Sequence, residues 1–253
     1  MTAIVGFLCR DGVVVGSDSS ATFGTGNLFT IEQEPVKKVH VISERLIVAG
    51  TGQVGLGQRF MLELEKFHDQ EKGFTKMPPV EAARVLAQRG VANFASTGAP
   101  KGEFGCLLAF AANDQCHLVE FDIKNFQPEF KTHDICFVSM GGGVNITDSF
   151  LGLMRRVFFK GKVPNITDGI FYTTWALHQA IDLNTGGIKA PIQISLLRRE
   201  NGTGHFKAHI LQESEVLEHF DHIKGAEKYL SEYPEKQSGD KSQNPAVIPS
   251  PKV

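Results

Sequence analysis

The 253-residue chain has no uninterrupted apolar run of about 18 residues, so nothing in it reads as a bilayer-spanning helix. Nor does it open on a secretory signal, because Arg10, Asp11 and Asp18 interrupt any apolar core near the N-terminus. An excess of charge of either sign is also missing. The 26 Lys+Arg against 28 Asp+Glu leave a formal charge of −2, which provides no electrostatic pull toward nucleic acid or an anionic membrane. Cysteine is scarce: Cys9, Cys106, Cys116 and Cys136 are scattered, form no C-x-x-C pair, and lie in apolar stretches where a thiol behaves as a small hydrophobe. Tryptophan occurs once and tyrosine three times against 19 phenylalanines, a balance suited to dry apolar packing. His205 and His209 would share one side of a strand, with no Cys or carboxylate to complete a metal-binding set. The expectations are a cytoplasmic protein with no metal, no cofactor, no nucleic-acid partner and no membrane partner.

The pattern along the chain alternates between strands and helices in blocks. Ile4–Cys9 and Val13–Ser17 read as two buried strands joined by a tight hairpin at Arg10-Asp11-Gly12. Residues 23–35 are a Gly-, Thr- and Asn-rich loop or a short hairpin. Val39–Ile42 and Leu46–Ala49 are two more strands. Apolar residues in a charged background (Phe60, Leu62, Leu64 and Phe67) indicate a helix from about Gln53 to His68, and Pro79 begins a second one. Strand character returns over Cys106–Ala112, His117–Phe121, Phe126–Lys131 and Ile135–Met140, broken by Gly141-Gly142-Gly143. Two helices follow at about 148–159 and 167–182, then strands at Ile192–Leu197 and Phe206–Leu211 and a helix from Ser214 to about Tyr229. This order is not a βαβαβ alternation, so a doubly wound parallel sheet is excluded. Hairpin-linked strands with helices arriving in pairs predict an α+β fold: a four-layer αββα sandwich of two antiparallel sheets flanked by helices. Residues 1–231 are expected to form one domain, and the Pro-, Ser- and Lys-rich stretch 232–253 a disordered tail.

The second residue is a threonine. Removal of Met1, which proceeds readily before so small a residue, would leave a chain beginning with both a hydroxyl and a free α-amine. A threonine hydroxyl needs a base to act as a nucleophile, and an α-amine with a reference pKa of about 7.7 to 8.0 can be that base. One residue can supply both functions.

Several segments then carry a resemblance. Thr2-Ala3-Ile4-Val5-Gly6, Gly16-Ser17-Asp18 with Ser20-Ala21-Thr22, Val36-Lys37-Lys38-Val39 and Ala49-Gly50-Thr51-Gly52 together resemble proteasome β-type subunits and the HslV-type peptidases. These are N-terminal nucleophile (Ntn) hydrolases, whose αββα sandwich agrees with the element order. The resemblance covers about residues 2–212. It implies Thr2 as nucleophile, Asp18 as the aspartate beside it, and Lys38 (with Lys37 as the alternative) as the lysine next to the hydroxyl. It implies Gly52 as the oxyanion-hole glycine at the start of a helix. Asp182-Leu183-Asn184-Thr185-Gly186-Gly187 resembles the family's Asp-x-x-Ser-Gly-Gly, which would put Asp182 and Thr185 beside the N-terminal amine. Gly50, with Ala21, Thr22 and Val54 nearby, is expected to line the pocket for the residue preceding the cut. Two departures stand out: Ser20 replaces a usual Arg or Gln, and Gly141-Gly142-Gly143 replaces a Gly-Ser-Gly turn, removing a hydroxyl that would help to orient the amine.

The function expected from this is a threonine-type endopeptidase that cleaves peptide bonds through an acyl-enzyme inside a homo-oligomeric ring. No propeptide is expected before Thr2, so autolytic processing is not expected to be needed. Its substrates would be peptides or unfolded proteins, with an ATP-dependent unfoldase as a possible feeder. The alternatives are an Ntn amidase or transpeptidase, in which another amide donates or an amine accepts the acyl group, and a catalytically silent ring scaffold.

Overall fold

A computed structural model describes residues 1–25, 28–31, 35–99, 102–183, 186–200 and 204–239, with 22–25, 28–31 and 234–239 in backbone only. In chain order the strands and helices are β1 (Ile4–Cys9), β2 (Gly12–Ser17), β3 (Thr22–Thr25), β4 (Leu28–Ile31), β5 (Val39–Ser43), β6 (Leu46–Gly52), α1 (Val54–Glu65), α2 (Gly73–Lys76) and α3 (Pro79–Ala95). There follow β7 (Phe104–Ala112), β8 (Gln115–Phe121), β9 (Pro128–Phe130), β10 (Phe137–Met140), α4 (Val144–Met154), α5 (Ile166–Leu183), β11 (Gln193–Arg199), β12 (Phe206–Ile210) and α6 (Glu213–Gly239). Single π-helical turns, Lys66–Gln70 and Arg155–Phe159, prolong α1 and α4.

Two five-stranded sheets form, in the orders β10-β1-β2-β11-β12 and β5-β6-β7-β8-β9, and β3 and β4 make a separate hairpin. Every strand pairing among the described residues is antiparallel, from Ile4 opposite Ser17 in the first sheet to Gly50 opposite Cys106 in the second. Alternation along a strand explains the layering. In β1 the residues Ile4 and Leu8 enter a core shared with Ile47, Ala49, Leu107 and Leu118 of the other sheet. Val5, Phe7 and Cys9 point the opposite way, into a core with Leu151, Trp175 and Leu177 of α4 and α5. β7 behaves likewise: Leu107 and Ala109 face the first sheet, while Cys106, Leu108 and Phe110 pack with Phe60, Leu64 and Leu86 of α1 and α3. A strand buried on both faces reads as a continuous apolar run, which is why β1 and β2 show no polar alternation. The result is the αββα sandwich that the element order implies.

Two helix boundaries differ most from the sequence expectation. Helix α4 starts at Val144, immediately after the triple glycine, rather than near 148. Its first turn, Val144-Asn145-Ile146-Thr147, has β-branched residues that argue against helix on propensity alone. There the Thr147 hydroxyl bonds back to the Gly143 carbonyl (3.1 Å), consistent with a helix anchored by its turn. Helix α6 runs to Gly239, so residues 232–239 of the expected tail are helical. Glu, Lys and Gln sustain a solvated helix as readily as a tail, and composition alone does not separate the two. Residues 240–253 lie outside the described residues.

Candidate active site

The β1–β2 hairpin brings the chain's start and residue 18 together. β1 and β2 pair from Ile4 opposite Ser17 onward, and beyond that register the Asp18 N–H donates to the Ala3 carbonyl (3.2 Å). Asp18 is fully buried and nearly saturated. Its Oδ1 accepts from the Ala3 N–H (2.9 Å) and from Lys38 Nζ (2.7 Å). Its Oδ2 accepts from the Ser20 N–H (3.1 Å) and hydroxyl (2.8 Å), with the Lys189 N–H at 3.4 Å. A buried carboxylate with this many donors is fixed in orientation.

Lys38 comes from the residue just before β5, and its side chain is 8 % exposed. Besides Asp18, its ammonium donates to Thr2 Oγ1 (3.2 Å) and to the Met1 carbonyl (3.4 Å), so all three protons have partners. Burial lowers the Lys38 pKa and Asp18 opposes that shift by charge and hydrogen bond. Lys37 is exposed, which decides between the two lysines on geometric grounds: alternation allows one of them to point inward, and it is Lys38. The amine of Met1 also has a lowered pKa, first through burial, then through the charge of Lys38, against a raising effect of Asp18.

The glycine turn wraps the backbone of Thr2. The Gly143 N–H donates to the Thr2 carbonyl (3.1 Å). Gly141 has φ +89°, and a Cβ there would lie 2.3 Å from the Thr2 oxygen. A substitution Gly141→Ala is therefore expected to cost about 1–3 kcal/mol from backbone conformation alone, with more from the clash, and to push Thr2 away from Lys38. Thermal unfolding and the rate of Thr2 labelling, described below, would check it.

The remaining residues named from sequence are placed as follows. Gly52 ends β6, is exposed, and has φ +108°, where a Cβ would meet the Glu103 carbonyl at 2.1 Å. The next N–H, of Gln53, is already spent on that same carbonyl (2.7 Å). Val39 lies opposite Ala49, so the adjoining Lys38 lies alongside Gly50, while Gly52 is about 7 Å further along the strand. A Cβ on Gly50 would meet the Phe104 ring at 2.8 Å, so the glycine lets that ring close against the strand. Ala21 is half-buried just past Ser20, and Val54 is 56 % exposed at the first turn of α1. Asp182 is half-exposed near the end of α5 and meets His178 of the preceding turn at 3.4 Å. Among the described residues it makes no hydrogen bond or ion pair with Thr2. Thr185 and the side chain of Thr22 lie outside the described residues.

Two residues that sequence reasoning did not select hold this arrangement. The Ser20 hydroxyl, the departure noted above, lies within hydrogen-bond reach of both Asp18 Oδ2 and the Gly187 carbonyl. With one proton it donates to one of them at a time. Gln193, at the start of β11, contacts the backbone that carries Lys38. Nothing in a lone glutamine at a strand start signals either task. A cavity of about 780 Å³ opens away from Thr2, at the far end of β1 and β2, among Arg10, Asp11, Arg198 and Arg199. No cluster of three or more metal-ligating side chains occurs among the described residues.

Comparison with known proteins bears on the same segments. The sequence model of the family described as proteasome subunit matches residues 2–132. The proteasome subunit beta 2 of Pyrococcus furiosus is 41 % identical over 54 residues, covering 21 % of this chain and 24 % of that protein. The proteasome subunit beta 1 of Thermococcus gammatolerans is 46 % identical over 54 residues, covering 21 % and 25 %. The chain thus spans about a quarter of the length of the curated relatives it matches.

Proposed function

Because the chain belongs to the proteasome subunit family and has its Ntn fold, we propose that it is a threonine-type endopeptidase acting through Thr2 once Met1 is removed. The observation that carries this reading is the buried Asp18–Lys38 pair with the Lys38 ammonium 3.2 Å from Thr2 Oγ1. An ammonium held at that distance stabilises an alkoxide and lowers the pKa of the hydroxyl. A neutral amine on Thr2 would take the hydroxyl proton, directly or through a water. The effects that lower the Met1 amine pKa, burial and the charge of Lys38, would act on a Thr2 amine in the same place.

In this scheme Thr2 Oγ1 bonds to the carbonyl carbon of the scissile peptide and its proton passes to the amine. Collapse of the tetrahedral intermediate breaks the C–N bond, and the amine returns the proton to the departing nitrogen. Water then attacks the carbonyl carbon of the ester and gives a proton to the amine; the bond from that carbon to Oγ1 breaks, releasing the product carboxylic acid, and the amine returns the proton to Oγ1 to restore the Thr2 hydroxyl. The oxyanion donor is drawn from the backbone at Gly50–Gly52, and the register alongside Lys38 favours Gly50 over Gly52. Neighbouring copies of this chain would form a ring that encloses the sites, taking peptides or unfolded chains delivered by an ATP-dependent unfoldase.

The test is the intact mass of the protein before and after exposure to a peptide epoxyketone, which needs both a hydroxyl and a free amine on the first residue. The expected result is a chain lacking Met1 that gains one inhibitor mass. A chain without Met1 that takes no label would favour a silent scaffold. Met1 retained after expression in a normal cytosol would overturn the mechanism.

A further inference from the structure

The geometry points to Gln193 as a positioning residue for Lys38: its carboxamide, at the start of β11 in one sheet, clamps the backbone at the entry to β5 in the other and so sets the reach of the ammonium to Thr2 and Asp18. This inference rests on the reading of Thr2 as nucleophile for its kinetic consequence, though not for its structural one.

Four contacts define the clamp. Gln193 Oε1 accepts from the Lys38 N–H (3.0 Å) and the Val39 N–H (3.4 Å). Its Nε2 donates to the Val36 carbonyl (2.6 Å) and to the Ser19 hydroxyl (2.6 Å). The orientation of the carboxamide follows from its neighbours, because the flipped form would set an NH₂ against two N–H donors and an oxygen against a carbonyl. Ser19 in turn donates its hydroxyl to the Pro191 carbonyl (2.5 Å), receives the Val36 N–H on its own carbonyl (2.9 Å), and follows Asp18 directly. Gln193 itself lies opposite Ser17 in the first sheet. The backbone holding Lys38 and the backbone holding Asp18 are thus tied to one side chain, from opposite sheets. A side chain with an acceptor and two donors on one planar group is required for this, since a hydrocarbon offers neither and a carboxylate offers no donor.

The need for such a clamp follows from the position of Lys38. It stands one residue before β5 begins, so the sheet ladder does not hold its backbone on the β5 side. Without Gln193 the Lys38 N–H and the Val36 carbonyl would seek water, and the segment would move as a unit. Displacement by about 1 Å at a reacting centre is enough for a large loss of rate. The charged groups that face the Lys38 ammonium are Asp18 and the chain's amine; Lys37 is exposed on the other side of the backbone. Asp18 is the one that raises its pKa, so weakening the Lys38–Asp18 contact lowers it further.

Two readouts on the full chain test this. The first uses no substrate: the Lys38 titration is followed by NMR of ¹³Cε-lysine-labelled protein, assigned with Lys38→Arg, in the wild type and in Gln193→Leu. The expected result is a lower Lys38 pKa in Gln193→Leu, and an unchanged titration would overturn the proposal whether or not the protein cleaves anything. The second is peptide hydrolysis, for which Gln193→Leu is expected to lose about 10- to 100-fold in kcat with KM within about 3-fold, the pattern of a displaced catalytic group. The alkaline limb of its pH profile should shift to lower pH. Gln193→Met keeps the bulk of the side chain without its acceptor or its donors and adds no charge; it serves, with the same expected results, if Gln193→Leu does not fold. Equal loss in kcat and rise in KM with an unmoved alkaline limb would overturn the positioning role. A wild type without hydrolysis would sink the peptidase reading and leave the NMR result to decide Gln193.

Discussion

Replacing Thr2 by alanine is expected to abolish peptide hydrolysis, by at least about 10³-fold, while leaving the fold intact. The side chain is half-buried and its Oγ1 contacts the Lys38 ammonium, but it contributes little to any of the three cores. The alanine chain still loses Met1, so the amine is retained and only the nucleophile goes. Thr2→Ser keeps an oxygen in the same place and should retain measurable turnover. The informative comparison is therefore kcat/KM for the three chains on one fluorogenic peptide, with circular dichroism to show equal folding. Alanine and wild type hydrolysing at the same rate would place the chemistry elsewhere.

Asp18→Asn should be the most damaging single change, because it acts on stability and chemistry together. Asp18 is fully buried and pairs with a Lys38 side chain that is 8 % exposed, so removing the carboxylate charge leaves a buried ammonium without its counter-ion. Breaking one side of a buried pair costs about 3–5 kcal/mol. The asparagine also turns an NH₂ toward either the Ala3 N–H or the Ser20 donors, where the carboxylate accepted. Denaturant unfolding would measure the first effect.

The pH dependence has a definite sign. Burial holds the Lys38 pKa below 10.5 in the folded chain, so between the folded and unfolded values the unfolded chain binds the extra proton. Stability from this group therefore rises as pH climbs through that window, and is lowest below the folded pKa. Removing the charge of Asp18, which raises the folded pKa, widens the window downward. Activity depends on the charged lysine, so its alkaline limb should appear at lower pH in Asp18→Asn than in wild type. An alkaline limb at the same pH in both proteins would show that a group other than Lys38 controls it.

The order of elements was legible in the residues for physical reasons, and the candidate site was named through the resemblance of short segments to proteasome subunits. Strands buried on both faces, such as Ile4–Cys9, announce themselves as unbroken apolar runs, and α3 announces itself by Pro79 and its helical spacing. Thr2, Asp18 and Lys38 could be named because each sits in a short local pattern, and the hairpin between β1 and β2 needs no distant part of the chain to bring residues 2 and 18 together. Helix boundaries were less legible: β-branching at Val144, Ile146 and Thr147 disfavours helix, yet the first turn of α4 lies there and bonds back to the glycine turn before it.

What the tertiary structure alone decided is which neighbours complete the site. Lys38 rather than Lys37 points inward because β5 docks on β6 in one register. Ser20 meets Gly187, and Gln193 meets Lys38, across separations of 167 and 155 residues that no local pattern encodes. Asp182, named from a motif, turns instead to His178 one helical turn away. Local sequence specifies which side chains can do chemistry; the packing of one sheet on the other specifies which of them meet, because hydrogen-bond partners from distant strands are chosen by where the cores force those strands to lie.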